Sequence, residues 1–499
     1  MKRFKTPLLR KLQSDLNISS SELYTQRRTF IKTASKIGLG IGILGVLPQA
    51  CNWKNKTGKI AIIGGGLAGL SAAYFLQKQG LSATVFESSN RLGGRVKTQN
   101  FEGFPIELGA EFIDPSHTEL LNLIEELKLE LIDYDTDEIF QDLFYIDQTK
   151  FSYEQALAEL KIKGAGRILN DLEVFPEYVE SGNVHLWGIY DSISIETYFN
   201  AIELSETLKK ILASAYETEF GLPIDKLSCM NFLTLFEPIT EDFYLYGDLN
   251  KQFVVKGGNE KIIDKLKELI SPQETYFQHE LSSIKSLPDK FFELEFKTPD
   301  GMESKQFEKV IFALPYTVLR KVKMDIEISE VRKSAIKELS YGEKAKYFLS
   351  FNDSTWRNYE YTGSVFCDNI YHQSIDCTRL QDSKAKILRF LSSGEKSAEM
   401  FRNKELQKEI LLELENQFEG ISMTFKSEGP RVLWSEETQQ SNAAFGVGQM
   451  AKFYGSELQD EGSVYFIGEH VSRVYQGTMN GAVETAGTIV DKILKQSEK

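Results

Sequence analysis

A glycine-rich turn between two short apolar runs constrains the fold of this chain more than any other feature. The apolar run 59–63 leads into Gly64-x-Gly66-x-x-Gly69, and a helical stretch then connects this turn to a second apolar run at 82–87. Strand, helix and strand in this order form a βαβ unit, which requires a parallel sheet covered on both faces. The sequence therefore predicts an α/β fold for this part of the chain.

The same turn has the composition of a phosphate-binding loop. Glycines allow a tight turn and a close approach of the backbone to a pyrophosphate, which rests at the N-terminus of the following helix. Ala68 lies in the first turn of that helix, and Glu87 ends the second run, where its carboxylate can accept hydrogen bonds from a ribose hydroxyl. We therefore predict a Rossmann-type domain that binds a dinucleotide.

Two arginines follow Glu87 closely. Arg91 and Arg95 flank the pair Gly93-Gly94, and we expect their guanidinium groups beside the pyrophosphate, because guanidinium groups bind phosphate oxygens in pairs. The stretch 87–95 resembles the E-x-x-x-R-x-G-G-R signature of the flavin amine oxidase family, which includes monoamine oxidases, polyamine oxidases and L-amino acid oxidases. This resemblance implies FAD rather than a nicotinamide cofactor.

The similarity to this family continues in the same order over about residues 58–495. It includes the stretch 107–112, the helix start around Gly257-Gly258, Leu281 ahead of the strand at 310–315, and the segment 468–484. The resemblance implies an FAD-binding domain of the amine oxidase and glutathione reductase-like kind. The residues that it assigns to FAD binding are Gly64, Gly66, Ala68, Gly69, Glu87, Arg91, Gly94, Arg95, Gly109, Ala110, Phe112, Leu281, Trp434, Gly468, Glu469, Thr478 and Met479.

The segment near the C-terminus carries the most specific part of the resemblance. Gly468-Glu469 and the stretch 476–484 resemble the terminal motif of the family, in which the glutamate binds the ribityl chain and a helix begins beneath the flavin. The positive end of that helix would point at the N1 and C2 carbonyl region and stabilise the anionic reduced ring. A glycine-rich turn before an ordinary closing helix would explain the glycines but not Glu469.

Lys346 is the candidate catalytic residue. In the family, a lysine before a strand of this kind holds a water against flavin N5 and assists reoxidation by oxygen, so the resemblance gives this role to Lys346. Without the family, a lysine on an alternating strand is usually exposed to solvent. Lys344 competes for the same role.

Two aromatic residues resemble the groups that pack near the flavin and guide an amine toward N5. They are Trp434 and Phe445, whose π faces would favour a neutral or cationic nitrogen. Ala444 lies where monoamine oxidases carry the cysteine that bonds the flavin, which implies noncovalent FAD. Thr478 replaces the second aromatic wall, which weakens the case for a simple arylalkyl monoamine as substrate.

Glu111 and His117 lie close to the motif that lines the flavin. They are candidates for contact with a second amino group of the substrate. The alternative is that both are ordinary surface or supporting residues, and the sequence leaves this open.

The organisation of the chain suggests two interleaved domains. We predict an FAD-binding domain assembled from 58–115, 251–330 and 440–495, since the apolar runs and glycine motifs fall there. Residues 116–250 and 331–439 have charged helical patterns and aromatic residues without a glycine fingerprint, and we predict that they form an α+β substrate-binding domain. A length of 499 residues also exceeds what one core usually supports.

The charge of the chain excludes one class of partner. The formal net charge is −14, whereas binding a nucleic acid needs a basic patch that releases counterions. An acidic body mildly attracts cationic small molecules such as amines, although a solvated acidic surface without function is equally common.

The N-terminal segment 1–51 has the features of an export signal. Arg27-Arg28 precedes a short, glycine-rich apolar run that ends near Cys51, which resembles a twin-arginine signal. The run is too short for a membrane-spanning helix. Cys51 lies where a lipoprotein carries its lipidated cysteine, but Pro48 departs from the usual apolar residue, so a lipid anchor stays open. The signal predicts a periplasmic or envelope location.

The remaining cysteines give no strong signal. Cys367 and Cys377 could pair in an oxidising compartment, or together with Cys229 they could be buried thiols. No Cys-x-x-Cys motif or histidine cluster suggests a metal.

The sequence therefore predicts an FAD-dependent oxidase. Its substrate would be a primary amine, a polyamine or an amino acid, which would pass a hydride to flavin N5 and leave as an imine, while O2 would be reduced to hydrogen peroxide. One alternative is a desaturase or protoporphyrinogen oxidase-like enzyme that acts on carbon–carbon bonds. Another is a flavin-binding protein without catalysis, since fold alone does not define function.

Overall fold

The fold is described here from a computed structural model. The residues that it describes are 59–133, 140–163, 167–168, 170–171, 184–235, 253–270, 275–381, 383–453, 456, 459 and 461–497. The predicted export signal, including Arg27-Arg28 and Cys51, lies outside these residues.

A five-stranded parallel sheet forms the centre of the first half of the molecule. All neighbouring strands run parallel, as the βαβ unit predicted. In spatial order the strands are Val464–Phe466, Lys309–Phe312, Ile60–Ile63, Ala83–Phe86 and Thr275–Tyr276. The residues of the first four strands are almost all buried, which explains why these segments are continuous apolar runs in the sequence.

Two helices cover one face of this sheet. Leu67–Lys78 follows the glycine turn, and Met479–Ser497 packs against it across a shared apolar core. A β-carbon on Gly69 would lie 2.0 Å from the carbonyl oxygen of Gly64. Only glycine therefore lets the helix approach the turn this closely.

Smaller sheets extend this region. A four-stranded sheet has the order Gly301–Phe307, Phe292–Thr298, Glu280–Ser286 and Lys323–Asp325. Two two-stranded sheets pair Thr98–Phe101 with Phe104–Glu107, and Leu131–Asp133 with Phe253–Val255.

A seven-stranded sheet forms the centre of the other half. It is antiparallel except for one parallel pair, Gln141–Ile146 with Tyr361–Cys367. From the sequence, only the strand near Lys346 was expected here and the other segments were interpreted as helical and aromatic, because strands buried on both faces show no alternation. In spatial order the strands are Phe425–Leu433, Lys344–Phe351, Lys386–Ser393, Gln373–Asp376, Tyr361–Cys367, Gln141–Ile146 and Thr149–Phe151.

Helices surround both halves. Several begin with a serine whose side chain accepts a backbone N–H, such as Ser205 before the helix Glu206–Phe220. No helix among the described residues combines the length and apolar character needed to cross a bilayer. The other α-helices are Thr118–Glu126, Tyr153–Lys163, Val184–Asp191, Ile195–Ala201, Cys229–Leu235, Glu260–Leu269, Tyr316–Leu319, Glu330–Glu338, Glu395–Arg402, Leu406–Gln417, Ile421–Thr424, Trp434–Thr438 and Gln449–Phe453, and two 3₁₀ turns span Thr355–Tyr359 and Glu469–Val471.

No disulfide joins the cysteines of the described region. Cys229, Cys367 and Cys377 are all buried. The structure therefore answers the question that the spacing left open: Cys367 and Cys377 do not pair.

Candidate active site

A cavity of about 1050 Å³ lies between the parallel sheet and the seven-stranded sheet. On one side it receives the residues that follow four parallel strands, namely Gly64, Glu87, Ala313 and Gly468. The carboxyl edge of an open parallel sheet is where α/β proteins bind ligands. All predicted site residues line this cavity except Gly69 and Phe445.

The glycine turn lines one end of the cavity. Gly64 has φ +109°, and the backbone N–H of Gly65 donates a 2.9 Å hydrogen bond to Oε2 of Glu87. A β-carbon on Gly66 would have no neighbour closer than 4.0 Å and would project toward the cavity. The turn thus leaves open the space that a pyrophosphate needs. Gly69 packs against Gly64 and does not line the cavity, so its part is to position the helix.

The two arginines of the signature both have hydrogen-bond partners within the protein. Arg91 lines the cavity, but its guanidinium donates to the backbone carbonyls of Leu92, Gly94 and Val96 at 2.9, 2.6 and 3.2 Å. These bonds hold the loop in shape. Local carbonyls thus engage three of the five N–H donors of Arg91, and its expected contact with the pyrophosphate stays a prediction.

Glu469 joins three separate parts of the chain. Its carboxylate is buried and accepts a 2.6 Å hydrogen bond from Nη1 of Arg95 and a 2.9 Å bond from the backbone N–H of Gly477. The backbone N–H of Ala443 adds a longer contact of 3.3 Å. Glu469 therefore fixes the signature loop against the C-terminal segment at the cavity wall.

The last helix begins at this wall. Thr478 accepts a 3.1 Å hydrogen bond from the backbone N–H of Gly481 and donates to the carbonyl of Tyr475. Both Thr478 and Met479 line the cavity. The helix N-terminus, with its partial positive charge, thus faces the cavity as the terminal motif predicted.

His470 supplies an independent observation that a polar ligand fits here. It is 5% exposed, it lines the cavity, and neither ring nitrogen has a hydrogen-bond partner among the described residues. Burial lowers its pKa well below the usual value, so the ring is neutral. Buried polar atoms normally have partners, and a dinucleotide with its many hydroxyl and phosphate oxygens would supply them.

Lys346 is held firmly at the opposite wall. Its Nζ donates to the carbonyl oxygens of Glu107 and Gly109 at 2.9 and 2.7 Å, and to Oε2 of Glu111 at 2.8 Å. These contacts use all three donors of an ammonium group. Burial lowers the pKa of Lys346, and the carboxylate of Glu111 acts against that shift.

Glu111 does not face the cavity as a free carboxylate. Its Oε2 lies 2.8 Å from Nζ of Lys346 and 3.4 Å from Nε of Arg389. Burial alone would raise the pKa of Glu111, but the two cations outweigh this effect and lower it. Both contacts use Oε2, so a contact of Glu111 with a second substrate amine stays a prediction.

Glu107 is the second carboxyl group beside the lysine. Burial raises its pKa to about 8, although the backbone N–H of Asn259 and the hydroxyl of Thr98 donate to it. At neutral pH this group is largely protonated. Glu111 is thus the anionic partner of Lys346.

Lys344, the competitor of Lys346, also lines the cavity. Its Nζ donates to the backbone carbonyl of Glu219, and burial lowers its pKa to about 8. Both lysines are on the same face of one strand, two residues apart. Lys346 differs in having an ionic partner and two carbonyl acceptors from the stretch 107–111.

The two aromatic residues predicted for the site differ in whether they line the cavity. Trp434 lines the cavity, and its indole N–H donates a 3.0 Å hydrogen bond to the carbonyl of Leu108. Phe445 packs beside an apolar core, and its carbonyl accepts from Ser228 and Asn231. Ala444 is fully buried in another core. Neither Phe445 nor Ala444 lines the cavity, so the expected cage wall is corrected: backbone pairing with the 228–231 segment turns Phe445 away.

His117 lines the cavity in a neutral state. Burial lowers its pKa to about 4, and its Nδ1 accepts a hydrogen bond from the backbone N–H of Asp114. A neutral imidazole adds no charge beside a cationic amine.

The sequence analysis missed a group of residues on the seven-stranded sheet. Gln373, Ile375, Arg389 and Leu391 come from two neighbouring strands and line the cavity next to Lys346. The available signal was a single arginine inside the apolar segment 387–391. Its neighbours on the sheet could not be found without knowing the strand pairing.

The fold and the cavity together define an α/β dinucleotide-binding protein whose site is closed by a second, largely antiparallel sheet. A family model described as flavin containing amine oxidoreductase matches residues 67–494, and the chain belongs to this family. The family prediction made from the stretch 87–95 is confirmed. Membership implies a flavin cofactor, and the cavity described above fits one.

Known relatives agree with this assignment. Flavin-containing amine oxidase A of Sus scrofa is 22% identical over 465 residues, covering 87% of this chain and 84% of the porcine protein. Flavin-containing amine oxidase B of Homo sapiens is 20% identical over 463 residues, covering 87% of this chain and 86% of the human protein. The chain is thus similar to these oxidases over almost their whole length.

Solved structures share the fold. Putrescine oxidase with bound putrescine matches with a TM-score of 0.72 at 18% identity, over 88% of this chain and 99% of that chain. Cyclohexylamine oxidase from Brevibacterium oxydans IH-35A matches with a TM-score of 0.74 at 19% identity, over 89% of this chain and 100% of that chain. The predicted α/β fold of an FAD-dependent oxidase is confirmed.

Proposed function

We propose that this chain oxidises an amine or amino acid with noncovalently bound FAD, giving an imine that hydrolyses to an aldehyde or keto product and ammonia, while O2 becomes hydrogen peroxide. The observation that carries the proposal is the buried Lys346 on the cavity wall opposite the dinucleotide turn. Bound FAD would accept the hydride at N5 and pass two electrons to O2.

The residues that would hold FAD lie along the first wall. The turn at Gly64 and Gly66 suits the pyrophosphate, and Glu87 suits the adenosine ribose. Glu469 and the helix N-terminus at Met479 suit the flavin end. Noncovalent binding is supported because no cysteine of the described region lines the cavity; Cys229, Cys367 and Cys377 are all buried elsewhere.

Lys346 acts in this proposal through its charge. Its three N–H donors are engaged by the protein, so it serves as a fixed positive charge rather than as a mobile proton donor. A fixed charge in a site shielded from water stabilises the negative charge that develops on oxygen as it is reduced. Glu111 keeps the lysine protonated and fixes its position.

The alternative of carbon–carbon oxidation fits the cavity less well. An apolar polyene or tetrapyrrole substrate requires a broad apolar wall, whereas Lys344, Lys346 and Arg389 place ionisable groups along this one. Burying such groups against an apolar ligand that offers them no hydrogen-bond partner is unfavourable. We therefore favour a polar, nitrogen-bearing substrate.

The test is anaerobic mixing of the flavin-loaded protein with a panel of amines, polyamines and amino acids, followed by peroxide detection in air. We expect the flavin absorbance near 450 nm to bleach with a subset of these compounds. An apolar polyene is the control substrate. Bleaching by the polyene alone, or a protein that stays colourless after incubation with FAD, would exclude the proposal.

We also propose that the enzyme is exported in its folded, flavin-loaded state. The proposal is supported by Arg27-Arg28 and the apolar run that follows it. A route that carries folded proteins suits an enzyme that must acquire a large cofactor first. Replacing both arginines with lysine should retain the protein in the cytoplasm, as measured by cell fractionation; unchanged export would contradict the proposal. Lipidation of Cys51 would be checked in the same samples by mass spectrometry.

A further inference from the structure

The seven-stranded sheet presents an arginine to the cavity that the proposed chemistry of amines does not use. We infer that the substrate carries a carboxylate next to its amine, as an α-amino acid does, and that Arg389 binds this carboxylate. The inference rests on the proposed amine oxidation and narrows its substrate class.

Arg389 is placed where an exposed guanidinium would not be expected. It lies in the middle of the strand Lys386–Ser393, which pairs on both sides, and it is 2% exposed. It nevertheless lines the cavity, together with Gln373 and Leu391. A charged side chain at this depth is unfavourable unless an anion accompanies it.

The protein provides hydrogen-bond acceptors for only some of the N–H donors of Arg389. Nη2 donates a 3.0 Å hydrogen bond to Oε1 of Gln373, and Nε has no hydrogen-bond acceptor. The only ionic partner among the described residues is Glu111, whose Oε2 is 3.4 Å from Nε but only 2.8 Å from Nζ of Lys346. A guanidinium offers five donors in a planar fork, which a carboxylate can engage with two oxygens.

The charge balance around Arg389 favours an anion. Arg389 and Lys346 share the single carboxylate of Glu111. The neighbouring Glu107 is largely protonated at neutral pH, since burial raises its pKa to about 8. Two cationic side chains therefore share one carboxylate at the wall of the cavity. A substrate carboxylate would supply a second anion.

The position of these two cations selects among the candidate substrates. Arg389 and Lys346 both contact the carboxylate of Glu111, so an anion bound by Arg389 would lie close to the charge of Lys346. An α-amino acid has its carboxylate on the same carbon that loses the hydride, so Arg389 could bind it next to the reacting carbon. A polyamine would place a second cation beside Arg389, where like charges repel. A simple monoamine would supply no second anion.

The experiment compares amino acids with the amines obtained by removing only their carboxylate. The pairs are L-phenylalanine with 2-phenylethylamine, L-leucine with 3-methylbutylamine, and L-ornithine with putrescine. Anaerobic flavin reduction is measured for the wild type, Arg389→Met and Arg389→Lys. We expect at least one amino acid to reduce the wild-type flavin about 100-fold more efficiently than its amine, since a bidentate charge-assisted pair is lost with the carboxylate.

The variants test whether Arg389 causes the preference for amino acids over amines. Arg389→Met should lower the efficiency with the amino acid about 100-fold and change the efficiency with the paired amine less than about 3-fold, and Arg389→Lys should fall between them. Arg431→Met is the matched control, because Arg431 lies in the same sheet, stacks on Tyr347 and does not line the cavity. It should retain the preference of the wild type.

A second measurement does not depend on turnover. Titration with the unreactive acid 3-phenylpropanoate should perturb the flavin spectrum of the wild type, with binding at least about 10-fold weaker in Arg389→Met. Equal reduction by amines and amino acids, reduction by amines alone, or equal binding of the acid by both proteins would overturn the inference. If neither member of any pair bleaches the flavin, the amine oxidation itself fails, and the titration still decides whether Arg389 binds carboxylates.

Discussion

The two walls of the cavity are built in different ways. The first wall consists of loops that follow parallel strands, and it combines the backbone of the glycine turn and the helix start at Met479 with charged side chains such as Glu87 and Glu469. The second wall is one face of a buried sheet, and its polar groups are ionisable side chains, including Lys346 and Arg389. The difference between the walls is that the cofactor side depends on loops of local sequence motifs, whereas the substrate side depends on side chains that one sheet brings together.

The largest effect on function should come from a substitution in the first wall that fills the space proposed for the pyrophosphate. Gly66→Val adds atoms where no protein atom lies within 4.0 Å of the new β-carbon, so the fold has room but the pyrophosphate does not. We expect FAD binding to weaken roughly 1,000-fold, which corresponds to about 4 kcal/mol. Flavin content after purification and titration with FAD would measure this.

A matched control comes from a glycine that borders open space elsewhere. Gly188→Ala, in the helix Val184–Asp191, meets no atom within 4 Å and should retain its flavin. If Gly66→Val is folded and yellow, the assignment of the turn to the pyrophosphate is wrong.

The next largest effect should be on reoxidation by O2, after substitution of Lys346 on the other wall. Lys346→Met removes the fixed charge and should slow reoxidation by O2 about 100-fold, while the rate of flavin reduction by substrate changes much less. Stopped-flow measurement of the two half-reactions separates these rates. Lys344→Met tests the competing lysine and should leave reoxidation within about 5-fold of the wild type. Equal slowing of both half-reactions in Lys346→Met would remove its assigned role.

A smaller effect should follow from neutralising the carboxylate between the two cations. Glu111→Gln removes the charge that opposes the burial effect on the pKa of Lys346, so this pKa falls further. The lysine then loses its proton at a lower pH than in the wild type. Reoxidation above that pH should slow about 10-fold, because the fixed positive charge is then lost.

The pH profile distinguishes this explanation from a loss of structure. The midpoint of the decline in reoxidation rate should move to lower pH in Glu111→Gln, and the rates should converge with those of the wild type at low pH. A uniform decrease at every pH would contradict the electrostatic role of Glu111.

The smallest effect is expected at Phe445. This side chain does not line the cavity, so Phe445→Leu should change the rate of flavin reduction less than about 2-fold, apart from a modest loss of stability from repacking. Trp434→Leu is the comparison, because Trp434 does line the cavity, and it should have the larger effect on the rate. A strong decrease in Phe445→Leu with an unchanged melting temperature would return this residue to the substrate site.

The sequence allowed the parallel sheet to be predicted but not its counterpart. The apolar runs at 59–63, 82–87, 309–314 and 464–467 contain four of the five strands of that sheet, shortened by one or two residues at their ends. In the seven-stranded sheet, only the strand near Lys346 was expected, and the other segments were interpreted as helical and aromatic. The strand Lys386–Ser393, for example, is buried on both faces and lacks the alternation that identifies a half-exposed strand.

In the candidate site, too, some residues could be predicted from the sequence and others could not. Glu469 and Lys346 could be named in advance because the motifs around them are local. Their partners could not, since Arg95 and Glu469 are separated by 374 residues and Lys346 and Glu111 by 235. The error at Phe445 and the missed Arg389 have the same origin, because the direction of a side chain depends on strand pairing.

By itself the sequence determined the nucleotide-binding turn, the family and the need for a flavin, because each depends on glycines and charges within a few residues of one another. The tertiary structure alone decided which ionisable side chains meet across the cavity. Strand order and register bring Lys346, Glu111 and Arg389 together, and a charge acquires its ionic partners only when the chain has folded around it.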